Sequence, residues 1–244
     1  MLAEAAPPEM TKNPHEPRLA RIAALVADPT RARMLAFLLS GEFACAGELA
    51  NAASVTAPTA SGHLTKLLDA GLLSCEARGR HRYYRLADAD VAHALEALAM
   101  VAERGSHTRT WSGPARQRLR YARCCYGHLA GQVGVAVLQT LVDRAWLEPV
   151  EGGFAVTTAG AEGLTALGLD GPAWQRRSAK GGQGVAYGCL DWSERRDHLA
   201  GRLATELLRH FIAAGWLRKQ PGDRALEVTP PGKLALDAWL PQPK

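Results

Sequence analysis

Residues 46–86, AGELANAASVTAPTASGHLTKLLDAGLLSCEARGRHRYYRL, decide the fold of the first part of the chain. They open with apolar positions at helical spacing and then a short polar turn, namely Leu49, Ala50 and Ala53 followed by Ser54, Val55 and Thr56. Thr56 is placed to cap a second helix from Ala57, because its hydroxyl can accept a hydrogen bond from a free backbone N–H. Pro58 suits the first turn of that helix. The stretch therefore predicts two short helices joined by a tight turn.

The second helix has one apolar face and one small, polar face. Its apolar stripe is Ala60, Leu64, Leu67 and Leu68, and its opposite row is Thr59, Gly62, His63 and Lys66. Gly71 predicts a left-handed end to the helix. Two strands are then predicted over 72–78 and 81–86, around a turn at Gly79-Arg80. The tip of this ribbon is basic.

This combination favours DNA binding over a helical core that happens to carry a solvated basic hairpin. Short hydroxyls, a glycine, an imidazole and a lysine suit the reading of a DNA groove, and a basic tip suits contact with phosphates or a minor groove. The cap, turn, polar row and basic ribbon also agree in order and spacing. The predicted DNA contacts are Thr56, Thr59, Ser61, Gly62, His63, Lys66, Arg78, Arg80, His81 and Arg82.

The chain resembles the ArsR/SmtB-type winged helix-turn-helix repressors. The resemblance covers about residues 18–104 and is carried by the segments 28–35, 48–50, 61–64, 68–73 and 78–86. It implies a homodimeric regulator that binds a roughly palindromic double-stranded DNA operator and is released by a metal, metalloid, oxidant or other small effector. In that family the flanking helices form the dimer, which would suit the apolar stripes of 18–27 and 90–103.

The metal sites of the resembled family are only partly matched. One of them uses paired cysteines at the start of the first helix of the motif, where Cys45 is followed by Gly47 two residues later. Another uses acidic and histidine residues on the dimer helix, where the corresponding positions are Asp88, Asp90, Val101 and Arg104. We therefore do not expect arsenic or zinc sensing at either place.

The composition is that of a globular protein. The chain has 244 residues, 47% hydrophobic and 22% charged, which argues against disorder and leaves room for several small domains. No run approaches the ~20 apolar residues of a membrane helix, and the N-terminus lacks a secretory pattern. Five cysteines without framework spacing indicate reduced thiols. We expect a cytoplasmic protein, without a membrane partner, whose net charge of +5 suits an anionic partner.

The predicted fold is mainly α with small β-hairpins: an N-terminal winged helix-turn-helix followed by two tandem, degenerate winged-helix-like modules. Residues 1–17 contain four prolines and are predicted to be a disordered lead-in. Residues 18–104 form the DNA-binding and dimerisation domain, and 105–122 form a linker. The two modules are predicted over 123–173 and 174–244.

The two modules are inferred from an internal repeat. The motif His128-Leu129-Ala130-Gly131 recurs 70 residues later from His198, and further pairs are Leu138 with Leu208, Trp146 with Trp216, Leu147 with Leu217, Val156-Thr157 with Val228-Thr229, and Gly160 with Gly232. Each copy predicts a long helix, a strand that carries tryptophan, a hairpin and a closing helix. Neither copy has the polar row or the basic tip of the first domain, so we expect these modules to bind something other than DNA.

Thiols and imidazoles stand around each repeated motif. The effector or metal candidates are Cys124, Cys125, His128, Cys189 and His198. Such donors suit soft ions, so the cofactor considered is a thiophilic metal ion such as zinc, and a cysteine near Arg123 is expected to have a lowered pKa and to react with oxidants. If pseudo-symmetry joins the two copies, Cys125, His128, Cys189 and His198 would form a four-ligand set.

Several alternatives remain open. The cysteines can be small buried hydrophobes and the histidines packing residues. An organic ligand pocket lined by Tyr126, Trp146, Trp192 and Trp216 is another interpretation, against a core role for the tryptophans. Beside the leading hypothesis of a DNA-binding repressor with a C-terminal sensor stand a docking regulator without a ligand and an enzyme with Cys125 as nucleophile and His128 as base. Nothing in the sequence supplies an orienting acid or an oxyanion hole for the enzyme.

Overall fold

The structure is a computed structural model that describes residues 16–102, 113–169, 171, 185–220 and 222–240, without the side chains of residues 16 and 17. The predicted lead-in lies almost entirely outside the described residues. Within the described ranges the chain forms ten helices and eleven short strands. None of these helices is long and apolar enough to cross a membrane.

The first part of the chain is a winged helix-turn-helix domain. Its elements are α1 (Glu16–Val26), α2 (Pro29–Leu38), β1 (Ala44–Cys45), α3 (Ala46–Ala53), α4 (Ala57–Asp69), β2 (Leu73–Arg78), β3 (His81–Leu86) and α5 (Ala89–Ala102). The three strands form an antiparallel sheet in the order β1-β3-β2. Its core is built from α2, α3, α4 and the sheet, with Leu35, Leu49, Leu64 and Leu86 fully buried.

Local signals set the helix boundaries of this domain. The Asp28 carboxylate accepts a hydrogen bond of 2.9 Å from the backbone N–H of Arg31 and caps α2. Thr56 caps α4, with its hydroxyl accepting from the N–H of Thr59. Gly71 follows α4 with a φ of +72°, a conformation that favours glycine. The predicted boundaries of the helix-turn-helix and the wing are confirmed to within a residue.

The second part repeats one order of elements twice. The first copy is β4 (Arg123–Cys125), β5 (His128–Ala130), α7 (Gly131–Asp143), β6 (Leu147–Val150), β7 (Gly153–Val156) and α8 (Thr158–Ala166). The second is β8 (Tyr187–Leu190), β9 (Asp197–Ala200), α9 (Arg202–Ala213), β10 (Leu217–Lys219), β11 (Leu226–Val228) and α10 (Pro230–Trp239). Each copy is therefore hairpin, helix, hairpin, helix. Their description as winged-helix-like modules stays a prediction.

Two details differ from the sequence interpretation. Both His-Leu-Ala-Gly motifs lie at the end of a strand rather than in the long helix, because β5 and β9 pair with β4 and β8 before the helices begin. The predicted linker 105–122 contains α6 (Pro114–Tyr121), with proline in its first turn, and α6 packs on α7. Residues 105–112 of that linker lie outside the described part of the chain.

The two copies interlock around one hydrophobic core. Helix α7 of the first copy packs on β9 of the second, and α9 of the second packs on β5 of the first. Core residues come from both copies, among them Leu141, Leu164, Leu203 and Phe211. This reciprocal packing brings the two short hairpins, β4-β5 and β8-β9, together at the centre of the second half.

Candidate nucleic-acid interface and effector site

The polar row of α4 is largely presented to solvent. Thr56, Thr59, Ser61, Gly62 and Lys66 are exposed, while Ala60, Leu64 and Leu67 face the core. A Cβ added at Gly62 would meet no atom within 4 Å, so this side of the helix is open to close approach. The N-terminus of α4 adds free backbone N–H groups and a positive dipole end, which favour phosphate.

His63 is the member of this row whose side chain turns toward the protein. Its Nδ1 lies 3.7 Å from Oδ1 of Asp28 and 3.4 Å from a guanidinium nitrogen of Arg31. The Arg31 side chain in turn donates to the carbonyl oxygens of Ala24 and Leu25. His63 thus contacts the start of α2, whereas its exposed neighbours in the row point outward.

The wing is a basic hairpin with an exposed tip. Arg78, Arg80, His81 and Arg82 are all exposed. Arg78 pairs with Glu76 at 2.9 Å and its guanidinium lies 4.6 Å from the centroid of the Phe43 ring, so its direction is partly fixed.

Cysteine and histidine face each other across the strands of both central hairpins. In the antiparallel register Cys125 pairs with His128, and Cys189 pairs with His198. The two sequence spacings differ because the second hairpin has a longer loop, over 191–196, yet the pairing is equivalent. We call Cys125, His128, Cys189 and His198 the Cys/His cluster; all four are buried.

The two hairpins bring the four side chains of the Cys/His cluster together. Nδ1 of His128 lies 3.2 Å from Nε2 of His198. Ligand atoms of Cys125, His128 and His198 all lie within 4.8 Å of one another. The thiol of Cys189 is hydrogen-bonded to Cys125 and to His198. Three of the four residues therefore converge from the two sequence copies, and Cys189 packs beside them against Cys125.

Cys124, the fifth candidate, lies apart from the cluster. Successive residues of a strand point to opposite faces, so Cys124 turns away from Cys125. Its Sγ donates to the carbonyl oxygen of Ser40 at 3.0 Å, and burial raises the pKa of its thiol. Cys124 thus belongs to the contact between the two halves of the chain.

The two histidines of the cluster differ in protonation. Burial lowers the pKa of His128 to about 3, so its imidazole is neutral. Burial also acts against a charge on His198, but hydrogen bonds to Asp191 and Cys189 raise its pKa to about 9. Burial opposes ionisation of the Asp191 carboxyl. Its contacts with His198, Arg123 and Ser193 nevertheless hold the pKa of this carboxyl well below its usual range.

The pKa values of the thiols of Cys125 and Cys189 are shifted in opposite directions, and the lowered one is not that of the cysteine near Arg123. The hydrogen bond with Cys189 and burial raise the pKa of Cys125. The hydrogen bond from Cys125, and those from His198 and His93, lower the pKa of Cys189 in spite of its burial. Of the two thiols, Cys189 is therefore the one whose pKa is lowered. The expectation that Arg123 would activate its neighbour Cys125 is wrong, because the Arg123 guanidinium points to Asp191 and Glu96 instead.

A buried chain of charges leads from the cluster to the DNA-binding domain. Nδ1 of His198 lies 3.3 Å from Oδ2 of Asp191, which lies 3.0 Å from Arg123. Arg123 lies 3.7 Å from Glu96 of α5, and Glu96 also pairs with Arg224. Asp191 further accepts a hydrogen bond of 2.6 Å from the backbone N–H of Gly131. Charged groups are seldom buried unless they are paired, and these are paired.

Sequence reasoning missed His93, Glu96 and Arg224. Glu96 is 2% exposed on a helix that otherwise buries apolar residues, and a carboxylate at such a position is the signal that could have found it. His93 is hydrogen-bonded to Cys189, and its ring packs edge-on against Tyr187 with centroids 6.0 Å apart. Both side chains come from α5 and face the second half of the chain.

The four aromatic residues considered for an organic pocket are dispersed. Trp146 and Trp216 pack against the core of the repeat pair, and Tyr126 packs against the core of the winged domain. The Trp192 ring lies under the Arg123 guanidinium, 4.7 Å from the ring centroid. A shared pocket is therefore contradicted, and the core role of the two repeated tryptophans agrees with their packing. A Cβ at Gly160 or Gly232 would collide with the carbonyl oxygen of Trp146 or Trp216.

Known proteins resemble both halves of the chain. A family model described as a helix-turn-helix domain matches residues 26–76. The "uncharacterized HTH-type transcriptional regulator YdfF" of Bacillus subtilis is 41% identical over 224 residues, covering 92% of this chain and 97% of that protein. The "HTH-type transcriptional regulator CmtR" of Mycobacterium tuberculosis is 39% identical over 92 residues, covering 38% of this chain and 77% of that protein.

A solution structure of a homodimeric winged helix-turn-helix DNA-binding domain from Mycobacterium bovis, described as a possible ArsR-family transcriptional regulator, is 27% identical. It covers 43% of this chain and 97% of its own, with a TM-score of 0.37. The relatives that match the sequence are transcriptional regulators, not enzymes. The chain belongs to the ArsR/SmtB-type winged helix-turn-helix transcriptional regulators and carries a C-terminal extension.

Proposed function

We propose that this regulator is a homodimeric cytoplasmic repressor that releases its DNA operator when an effector reaches the C-terminal repeat pair. The observation that supports this most is the contact between the buried Cys/His cluster and α5 of the winged domain, directly from Cys189 to His93 and indirectly from His198 through Asp191 and Arg123 to Glu96. A sensor and a DNA reader that share a buried junction can influence one another. A metal ion, an oxidant or a small molecule are the effector classes considered.

Operator contact is assigned to the exposed row of α4 and to the wing. In this proposal Thr56, Thr59, Ser61, Gly62 and Lys66 enter the major groove, and Arg78, Arg80, His81 and Arg82 hold the phosphates or a minor groove. His63 positions α4 against α2 through Asp28 rather than reading a base.

Dimer formation is assigned to α1 and α5. Large apolar side chains are exposed on both helices of the described chain: Leu19 is 73% exposed on α1, and Leu98 and Val101 are each 53% exposed on α5. Covering such groups stabilises association by roughly 25 cal/mol per Å² of apolar surface. A second copy of the chain, related by a twofold axis, would cover them and place two recognition helices on a palindromic operator.

Release follows from linkage. An effector that binds the form incompetent for DNA more tightly than the competent form shifts the population by its differential affinity, and by no more. The effector needs no contact with DNA. Its site must differ in geometry between the two forms, which the junction at α5 allows.

The test of operator contact is a salt titration. DNA selected from a random pool by the full-length protein is bound at several salt concentrations, and the Lys66→Ala and Arg80→Ala proteins are compared with Arg218→Ala, an exposed arginine of β10. Each DNA-facing change should weaken binding and reduce the slope of log K against log salt by about 1. Arg218→Ala should leave both unchanged. Equal slopes in all four proteins would refute the assigned interface.

A further inference from the structure

Three donor atoms of the Cys/His cluster lie at separations close to those of a metal site. Ligand atoms of Cys125, His128 and His198 are within 4.8 Å of one another, and the two nearest ring nitrogens are 3.2 Å apart. Zinc–nitrogen bonds of about 2.0–2.1 Å in a tetrahedron place two nitrogens about 3.3 Å apart. The distance between the two nitrogens is therefore already that of two ligands of one ion.

Cys189 supplies a fourth donor of the right kind. It is buried, it packs with Cys125, and its sulfur is hydrogen-bonded to Cys125 and His198. Two thiolates and two imidazoles are a common ligand set of four-coordinate zinc, and the two thiolate charges neutralise a divalent ion in a buried site.

We propose that the Cys/His cluster binds one thiophilic metal ion, of the zinc and cadmium class, through Cys125, His128, Cys189 and His198. The inference rests on the proposed function, in which this half of the chain is the sensor, and it names the class of effector. The site lies in the C-terminal repeats and uses none of Cys45, Asp88 and Asp90, the residues at the metal positions of the resembled family.

The unsatisfied atoms of the cluster support a ligand role over a packing role. Nε2 of His128 is buried without a hydrogen-bond partner. Such an atom costs about 1–3 kcal/mol when a histidine serves only to fill space. A flip of the ring exchanges Nδ1 and Nε2, so the nitrogen that lacks a partner can be the one that faces an ion.

The surroundings of His198 are those of an oriented ligand. A carboxylate oxygen of Asp191 lies 3.3 Å from Nδ1 of His198, on the side of the ring opposite to His128. Metal-binding histidines usually donate their second N–H to such a carboxylate, which fixes the ring. Asp191 is itself held by Arg123 and by the backbone N–H of Gly131. It comes from the longer loop of the second hairpin.

A dithiol switch is the competing use of the same cysteines. Oxidation by peroxide would join Cys125 to Cys189 in a disulfide, reducing the peroxide to water. That reaction needs neither His128 nor His198, and it gives no role to the buried Asp191 beside His198. The metal site accounts for all four side chains.

A cavity gives access to the cluster at its junction with the winged domain. It has a volume of about 240 Å³, lies between α5 and β8, and is lined among others by His93, Met100 and Cys189. An ion that draws the Cys189 sulfur inward competes with its hydrogen bond to His93. Metal binding would therefore change the contact between Cys189 and α5.

The test is titration of the full-length reduced protein with cadmium chloride, followed by the ultraviolet cadmium–thiolate band and by metal analysis. The wild type should bind one ion per chain. Cys125→Ser and Cys189→Ser should each show about half of the absorbance of the cadmium–thiolate band, and each should bind cadmium at least about 100-fold more weakly. Asp191→Asn should bind cadmium about 10- to 100-fold more weakly. Cys124→Ala, next to Cys125 on the same strand, is the matched control and should bind as the wild type does.

Operator binding without cadmium and thermal unfolding show that each variant is folded. The proposal is overturned if folded wild type binds no cadmium, if Cys124→Ala loses as much affinity as Cys125→Ser, or if peroxide releases the operator while cadmium and zinc do not. In each of these outcomes the metal-free protein can still bind the operator as a dimer. A metal-free wild type that does not bind DNA would instead refute the proposed function.

Discussion

Identical residue types behave differently in this protein because their neighbours differ. His128 is buried beside His198 without a carboxylate partner and is neutral, whereas His198 contacts Asp191 and keeps a proton. The hydrogen bond between the two cysteines raises the pKa of Cys125 and lowers that of Cys189. The pseudo-symmetry of the two hairpins is therefore broken by charge, and the loop over 191–196 that carries Asp191 is the source of the difference.

At the residue scale we predict that acid destabilises the metal-free protein partly through His128. Because its pKa falls from 6.5 to about 3 on folding, the unfolded chain binds a proton that the folded chain excludes between these values. The free energy of unfolding therefore decreases as the pH falls through this window, by about 1.4 kcal/mol per pH unit for one proton, and His128 adds no slope above pH 6.5. His198 has a raised pKa and is protonated in both states there.

The measurement is urea unfolding of the wild type and of His128→Gln at pH values from 6.5 to 4. The free energy of unfolding of the variant should decrease less steeply as the pH falls, with a slope smaller by about 1.4 kcal/mol per pH unit. Parallel pH dependence of the two proteins would show that His128 is not held neutral by burial.

The sequence predicts which residues meet here better than it predicts their roles. The repeat suggested that Cys125, His128, Cys189 and His198 converge, and the structure places them together. Cys124 was grouped with them because strand alternation cannot be recognised when the residues are read as the approach to a helix. The partners of the cluster, His93, Glu96 and Arg224, come from segments 26 to 105 residues away from its members along the chain, so no local pattern could reveal them.

At the scale of elements, helix α5 contacts both halves of the chain, the wing strand β3 and the strand β8 of the second repeat. It follows the wing strand β3 directly, and its outer face carries the exposed Leu98 and Val101. Its inner face carries His93 and Glu96, one turn apart, against the second half of the chain. The apolar stripe over 90–103 predicts this helix, but it does not predict that the helix has two functional sides.

We predict that His93→Gln uncouples the two halves. Glutamine can form hydrogen bonds near Cys189, but it is a poor metal ligand and differs from histidine in length. The substitution therefore changes the contact between position 93 and the Cys189 sulfur, through which metal binding is proposed to act on α5. Cadmium affinity should stay within a few-fold of the wild type, while cadmium-induced loss of operator affinity should fall at least about tenfold. His210→Ala, a histidine of α9 outside the cluster, is the control. Normal release by His93→Gln would exclude this route.

At the scale of the whole molecule, the winged helix-turn-helix domain packs against an interlocked pair of repeats. The backbone N–H of Tyr126 donates to Leu39 at 2.6 Å, Cys124 donates to Ser40, and Glu96 is buried between Arg123 and Arg224. The sequence indicated the two halves and the repeat. The shared core of the repeats and the buried junction depend on long-range packing, which periodicity does not encode.

We predict that Leu98→Glu disrupts the dimer. A charge placed in the apolar surface of α5 would have to be buried without a partner, which is strongly unfavourable. Sedimentation velocity should show a shift from dimer to monomer, with weaker operator binding and an unchanged circular dichroism spectrum. Leu190→Glu, an exposed leucine of β8 outside α1 and α5, should remain dimeric. A Leu98→Glu protein that stays dimeric would place the dimer interface elsewhere.

The central claim is that the Cys/His cluster controls a DNA-binding surface in the other half of the chain. It is tested most directly by fluorescence anisotropy of labelled operator bound to full-length protein, titrated with cadmium or zinc. The wild type should release the operator as one ion per chain is added. Cys125→Ser/Cys189→Ser should bind the operator with unchanged affinity and show no release. Release of the operator from this double variant at the same metal concentration would contradict the account.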